Sequence, residues 1–261
     1  MSRAPQTVGS EVGDAINSLI REGDRFKDWD APRIHTLRRQ IDQLQKVDAR
    51  YAFTARGQLA AICGNISGVR ENYRKALQHP DQPTTKHEFW VAMANVGLYS
   101  EAREIGEWLL EPRHQFYAQA WQKAMSLGQF GAVWARLPAA KRLWPDLQKE
   151  DFSLLERVVA VMGERSLKDE SITAVLALMG DIQREHRIMF AGLLVTSVKV
   201  MRPPEEPPYL YLVLPLDTDA AEIHAMNRKF TGLVVRKLGA FPDGLVMSFE
   251  KAPPAEFRAA A

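Results

Sequence analysis

One short phrase comes round three times in this chain. It reads Gly64-Asn-Ile-Ser-Gly-Val69, then Gly97-Leu-Tyr-Ser-Glu-Ala102, then Gly128-Gln-Phe-Gly-Ala-Val133. Each copy sets a glycine first, an apolar residue two places on, and a small or β-branched residue three further. Both flanks of every copy carry apolar residues at helical spacing, so each phrase reads as the tight turn between two helices. The copies recur after 33 residues (64 to 97) and 31 residues (97 to 128). Glycine is expected at each reversal because the chain needs a positive φ there, which other residues reach only at a cost. Two helices of this length cannot bury their apolar sides alone, so neighbouring hairpins are expected to stack and share a core. Such a stack is built to hold a partner.

Length and charge narrow the field further. The 261 residues allow one large domain or two modest ones. A net charge of +2 is too small to draw nucleic acid or a membrane by bulk electrostatics. The single cysteine, Cys63, cannot form an internal disulfide, so an oxidising compartment is not indicated. Residues 1–14 lack the apolar core of a secretory signal. The longest apolar runs, around Leu193 and Leu210, fall far short of the ~20 residues that cross a bilayer. The expected location is cytoplasmic, with no membrane partner.

Ahead of the repeats, residues 1–10 read as a disordered tail and residues 11–150 as the helical-repeat domain. A first helix is expected from Glu11 to Glu22, with Val12, Ile16, Leu19 and Ile20 on one face and Gly23 ending it. After a turn through Trp29 and Pro32, a second helix carries Ile34, Leu37, Ile41 and Leu44 as a core-facing stripe. Arg33, Arg38, Arg39, Arg50 and Arg56 make this region basic, as a solvated surface or as a phosphate-binding stripe.

Within the three copies, further positions recur. Copy one sets Phe53, Gly57, Val69, Tyr73, Ala76-Leu77 and Pro80; copy two sets Phe89, Met93, Tyr99 and Ala102; copy three sets Tyr117, Phe130, Val133, Leu137 and Pro145. On these residues the chain resembles the tetratricopeptide repeat family, whose pattern places an aromatic, a Leu-Gly pair, a Tyr, an Ala, a Phe and a Pro at fixed offsets. It departs from that pattern at Lys86, where an aromatic belongs, and at Trp90 and Trp121, where the helix-contact glycine belongs. The resemblance implies that the first helix of each hairpin lines a concave groove for a peptide or a partner helix. By its register the groove residues are Tyr51, Thr54 and Gln58, then His87, Val91 and Asn95, then Gln115, Gln122 and Ser126. The basic set with which some members clamp a terminal carboxylate is absent. Phe89, Trp90, Met93, Phe116, Tyr117 and Trp121 read as filler between helices.

Beyond Pro145 the texture changes, and residues 151–252 read as a small α+β domain. Arg157 to Met162 is a β-branched run closed by Gly163, although residues 152–162 fit a strand or a helix equally. Ser166 and Asp169 have the spacing of a capping pair before a helix bearing Ile172, Val175, Leu176 and Met179. Strands are expected at Leu193–Met201 and Tyr209–Leu216, parted by the stiff, charged segment 202–208. Asp219 and Glu222 open a helix with Ile223, Met226, Phe230 and Val234 inward and Gly239 at its end; a last strand follows at Leu245–Glu250. With residues 152–162 as a strand, the order βαββαβ is that of a ferredoxin-like sandwich. Residues 253–261 read as a disordered tail.

Chemistry is hard to find in the pattern. The six histidines lack metal-ligand spacing, and His87-Glu88 lacks the second histidine of a zinc-protease helix. Asp217-Thr-Asp219 lacks the glycine and glutamate of a calcium loop, so Asp219 is better used as a helix N-cap. No phosphate-binding glycine loop or nucleophile elbow is present. Cys63, at a helix end before a turn glycine, reads as a small packed thiol. The expectation is a protein without catalytic, metal or cofactor groups.

Two surfaces remain: the groove positions above, neutral and rich in amides, and the open face of the C-terminal sheet. Alternation sends Leu210, Leu212 and Leu214 inward and Tyr209, Tyr211 and Val213 outward, with Lys199, Ser197, Ser248 and Glu250 sharing the outer face. The expected function is a non-enzymatic adaptor that binds a protein or peptide in the groove, with a possible homo-oligomer through the C-terminal domain. Two alternatives stand beside it. One is a nucleic-acid-associated protein using the basic helices with Tyr209 and Tyr211; the other is an antitoxin or immunity protein of the same physical design.

Overall fold

A computed structural model describes residues 5–23, 25–80, 82–189 and 197–252. Its described residues are mostly helical, with eleven α-helices and a three-stranded sheet in the C-terminal part. The chain separates into two compact units. Unit 1 takes residues 1–105 and 183–193, and unit 2 takes residues 106–182 and 194–261.

Unit 1 is built from α1 (Pro5–Arg21), α2 (Pro32–Gln45), α3 (Ala49–Ile62), α4 (Ile66–Ala76), α5 (Gln82–Asn95) and the start of α6 (Tyr99–Leu109). Helix α1 begins at Pro5 rather than Glu11, so residues 5–10 of the expected loose tail are helical. The expected stripes are the core: Val12, Ile16 and Leu19 of α1 meet Ile34, Leu37, Ile41 and Leu44 of α2 and Ala52, Ala55, Leu59 and Ile62 of α3. Local signals set the helix starts. Asp48 caps α3 by accepting the Tyr51 N–H at 2.8 Å, and Asn65 caps α4 by accepting the Gly68 N–H at 3.0 Å. Helix α3 is the hub, packing on α1, α2, α4 and α5, and α4 also touches α5. Glycines allow the close approaches. Gly57 faces the Tyr73 ring so closely that a β-carbon would lie 2.6 Å from it, and Gly13 stands against the Tyr51 hydroxyl in the same way.

All three turn glycines hold the positive φ that the pattern demanded: +71° at Gly64, +72° at Gly97 and +74° at Gly128. Each turn is covered by a segment distant in sequence. The Phe26 ring lies on Gly64, while the Lys27 N–H donates to the Ile62 carbonyl at 2.9 Å. At Gly97, Gln183 Nε2 donates to the Asn95 carbonyl (3.0 Å), and Arg184 donates to the carbonyls of Val96 (3.2 Å) and Gly97. The amide oxygen of Gln183 in turn accepts from the buried Tyr99 hydroxyl at 3.0 Å.

Unit 2 contains α7 (Tyr117–Ser126), α8 (Phe130–Leu143), a 3-10 turn at Pro145–Gln148, α9 (Ser153–Glu164) and most of α10 (Asp169–Glu185). Then come β1 (Ser197–Met201), β2 (Tyr209–Leu216), α11 (Ala220–Leu238) and β3 (Leu245–Lys251). At the third turn, Ile172 and Leu176 press on Gly128, and the Asp169 carboxylate accepts the N–H groups of Gly131 (3.0 Å) and Ala132 (2.9 Å) at the start of α8. Asp169 therefore serves another helix, where the Ser166–Asp169 spacing predicts a cap for its own. Asp219 does cap α11, accepting the Glu222 N–H at 2.8 Å.

The sheet order is β1-β2-β3, with β1 antiparallel and β3 parallel to β2. Helix α11 makes the crossover that a parallel pair requires and packs on β3. Two features depart from the ferredoxin-like expectation. Residues 153–164 are the helix α9, because Leu155, Val158, Val161 and Met162 bury one helical face; the β-branched content is overridden by that packing. With no strand from this segment, β3 lies directly beside β2, and the described residues hold three strands where the ferredoxin-like sandwich has four. The start of the expected 193–201 strand and the tail at 253–261 lie outside the described residues. On the outer side of β3, Asn227 of α11 takes both backbone groups of Phe249, donating to its carbonyl and accepting its N–H at 2.9 Å each.

Candidate functional site

The groove positions fall in two sets. Tyr51, Thr54 and Gln58 lie on α3 and His87, Val91 and Asn95 on α5, two helices that pack together in unit 1. Gln115, Gln122 and Ser126 belong to unit 2. Within the first set the surroundings differ sharply. Tyr51 is half-buried beneath α1, its hydroxyl donating to the Gly9 carbonyl at 3.2 Å and its ring against Gly9. Burial, reinforced by the Glu88 carboxylate, raises its pKa. Thr54 is fully buried, and its hydroxyl donates to the Arg50 carbonyl one turn back. Both are therefore held by the chain's own helices. Gln58, His87, Val91 and Asn95 are half-buried and present a mixed polar face of α3 and α5. In unit 2, Gln115 and Gln122 are exposed, whereas Ser126 is buried and bonds the Gln122 carbonyl.

Of the six residues read as filler, five are packed in that way, whereas Phe116 is half-buried beside the His114 ring. Trp90, Met93, Tyr117 and Trp121 are buried, and Phe89 stacks on Tyr73 with ring centres 4.3 Å apart. Burial also pushes the Tyr117 phenol up to about 12. Cys63 closes α3, and burial, with the Asp28 charge behind it, pushes its thiol up to about 11. At neutral pH it is a packed thiol, not a thiolate.

The sheet surface has the predicted alternation except at Val213, expected on the open face but buried at 3% exposure. Leu210, Leu212, Leu214, Leu245, Met247 and Phe249 are buried on one face. On the other, Lys199 pairs across the strands with Tyr211, and its ammonium sits 5.9 Å from the centre of that ring. The Tyr211 hydroxyl donates to Glu250 and lies 2.7 Å from the Ser248 hydroxyl. Desolvation and the Glu250 hydrogen bond both raise the Tyr211 pKa. Tyr209 is paired with Met201 at the strand ends. The face is a knit of internal contacts centred on Tyr211, with Val246 exposed beside it.

Among the basic N-terminal residues Arg39 is exposed and has no ion pair among the described residues, whereas three others are engaged. Arg33 pairs with Glu22, Arg56 with Asp42 at 2.5 Å, and the Arg38 guanidinium lies 4.6 Å over the Trp29 ring. Sequence reading missed Gln183 and Arg184, whose partners lie 84 to 88 residues away. No local signal marks such residues. Among the described residues there is no cluster of three or more His, Cys, Asp or Glu that could hold a metal ion, and no helix long and apolar enough to cross a membrane. No family model, curated protein or solved structure matches this chain.

Proposed function

We propose that this chain is a non-enzymatic adaptor that binds a protein or peptide partner on its helical hairpins, in the manner of a tetratricopeptide-like stack. The observation that carries the reading is the packing succession in unit 1. Helix α1 touches α2 and α3, α2 touches α3, α3 touches α4 and α5, and α4 touches α5. That is the neighbour-to-neighbour order of stacked hairpins, and it adds an α1–α2 pair ahead of the first repeated phrase. Tyr51 and Thr54, held by α1 and by their own helix, leave the partner Gln58, His87, Val91 and Asn95. A mixed face of this kind recognises an extended or helical segment through amide hydrogen bonds around a small apolar contact at Val91.

The nucleic-acid reading is the weaker one. Arg33 and Arg56 are matched by carboxylates inside the chain, which lowers the cationic charge left to displace counterions. An antitoxin or immunity role uses the same surface and differs only in the partner. The test is affinity capture with the wild-type chain and two variants, Gln58→Ala/Asn95→Ala in unit 1 and Gln115→Ala/Gln122→Ala in unit 2. Loss of a specific partner from the unit 1 variant, with its thermal stability intact, is the expected result. An unchanged partner set from both variants removes the helical face from the reading, and retained nucleic acid that salt strips off would favour the alternative.

A further inference from the structure

The charges at one end of unit 2 do not balance within the chain. The crossover helix α11 connects the end of β2 to the start of the parallel β3, so its C-terminal end lies where β2 and β3 begin, Leu210 donating to the Gly244 carbonyl there at 2.8 Å. The 202–208 segment, which joins β1 to β2, lies at this same end of the sheet. Helix α9 also ends here. Its Glu164 binds Arg202 at 3.1 Å, and the next residue, Arg165, binds Asp243. These four charges are matched in pairs. Left over are Glu205 and Glu206 on the loop and Arg236 and Lys237 on the last turn of α11, all exposed and with no ion pair or hydrogen bond among the described residues.

The two anions and two cations do not reach one another within the chain. Pro203, Pro204, Pro207 and Pro208 fix φ on both sides of the glutamates, which limits the conformations open to the loop. Beside the cations, Val235 and Leu238 are exposed at 54% and 43%, an apolar margin next to the charge. We propose that a second copy of this chain supplies the match: the Glu205–Glu206 loop of each copy docks on the Arg236–Lys237 end of α11 of the other. Because loop and helix end share one end of the unit, a two-fold axis there forms both contacts at once and closes the assembly as a dimer. The contact is led by exposed charge, so it is reversible and weakens with salt. It is independent of partner binding on unit 1.

Sedimentation of the full chain over a concentration series, in low and in high salt, tests this. A reversible dimer is expected in low salt, loosening as salt rises. Glu205→Lys/Glu206→Lys and Arg236→Glu/Lys237→Glu are each expected to weaken it at least about tenfold. Mixed in equal amounts, these two variants are expected to form a heterodimer, since each then carries the complement of the other at both contacts. That restoration separates lost docking from misfolding. A chain that stays monomeric in low salt overturns the proposal, as does a dimer indifferent to either reversal or a mixture that fails to restore it.

Discussion

The turns at Gly97 and Gly128 have nearly the same backbone, with φ of +72° and +74°, yet they are secured in opposite ways. In unit 1 the groups addressed are carbonyls at the end of α5, and the residues that reach them, Gln183 and Arg184, are donors. In unit 2 they are amides at the start of α8, and the residue that reaches them, Asp169, is an anionic acceptor. A helix leaves carbonyls unsatisfied at its C-terminus and N–H groups at its N-terminus, each end carrying the matching partial charge. A helix–turn–helix phrase therefore exposes both kinds side by side. Which kind the rest of the chain secures depends on the sign of the distant side chain that arrives. The repeated phrase dictates the reversal and says nothing about its reinforcement.

The largest effect should come from the glycine that has packing as well as φ against it. In Gly128→Val, a β-branched residue would have to hold φ near +74° with its β-carbon 2.5 Å from Ile172. Strain and overpacking together are expected to cost about 3–5 kcal/mol in denaturant unfolding. A loss under about 1 kcal/mol would mean that α10 yields freely at this turn.

Next is Gln183→Leu, which leaves the buried Tyr99 hydroxyl and the Asn95 carbonyl without this partner, at about 2–3 kcal/mol. Adding Tyr99→Phe removes one orphan, so the double variant should lose less than the sum of the two single losses. Strict additivity would show that the Tyr99–Gln183 bond carries no coupling.

Asp169→Ala should cost about 1–2 kcal/mol, as a lost N-terminal cap does. Arg184→Lys should cost about 1 kcal/mol, because the ammonium on a shorter stem loses the rigid placement by which Nη1 reaches both carbonyls. An Arg184 loss that exceeded the Asp169 loss would reverse the order of these two contacts.

The Gly64 turn offers a probe that hardly disturbs stability. Raised to about 11, the adjacent Cys63 thiol holds roughly a hundredfold less thiolate at pH 8 than one at its ordinary value of 9.0. Alkylation should be slowed at least in that proportion, recovering as pH rises through the raised value; the sign follows from burial disfavouring the anion. A thiol that reacts at the ordinary rate would show that Phe26 does not close this turn.

What could be read in advance was what one helix or one strand decides for itself. The stripes of α1 and α2, the turn glycines, the β2 strand at Tyr209–Leu216 and the Asp219 cap all follow from spacing within a few residues. Residues 152–162 were ambiguous because Val158, Val159 and Val161 favour a strand locally, while the three- and four-residue spacing of Leu155, Val158 and Met162 favours a helix. Tertiary burial decided between them. Tyr51 falls on a groove position by register, yet its hydroxyl meets Gly9, 42 residues earlier, in a segment whose polarity reads as a tail. Asp169 was legible as a capping residue, but nothing near it in sequence could say whose helix it would cap.

The amide of Asn227, which takes both backbone groups of Phe249, acts as a stopper on one margin of the sheet. An incoming strand, whether from a misfolded copy or a templating fibre, would have to dislodge that side chain before it could add there. Replacing Asn227 with alanine would leave a vacant rung, and a rise in fibre-type aggregation at little cost in helix content would be its signature.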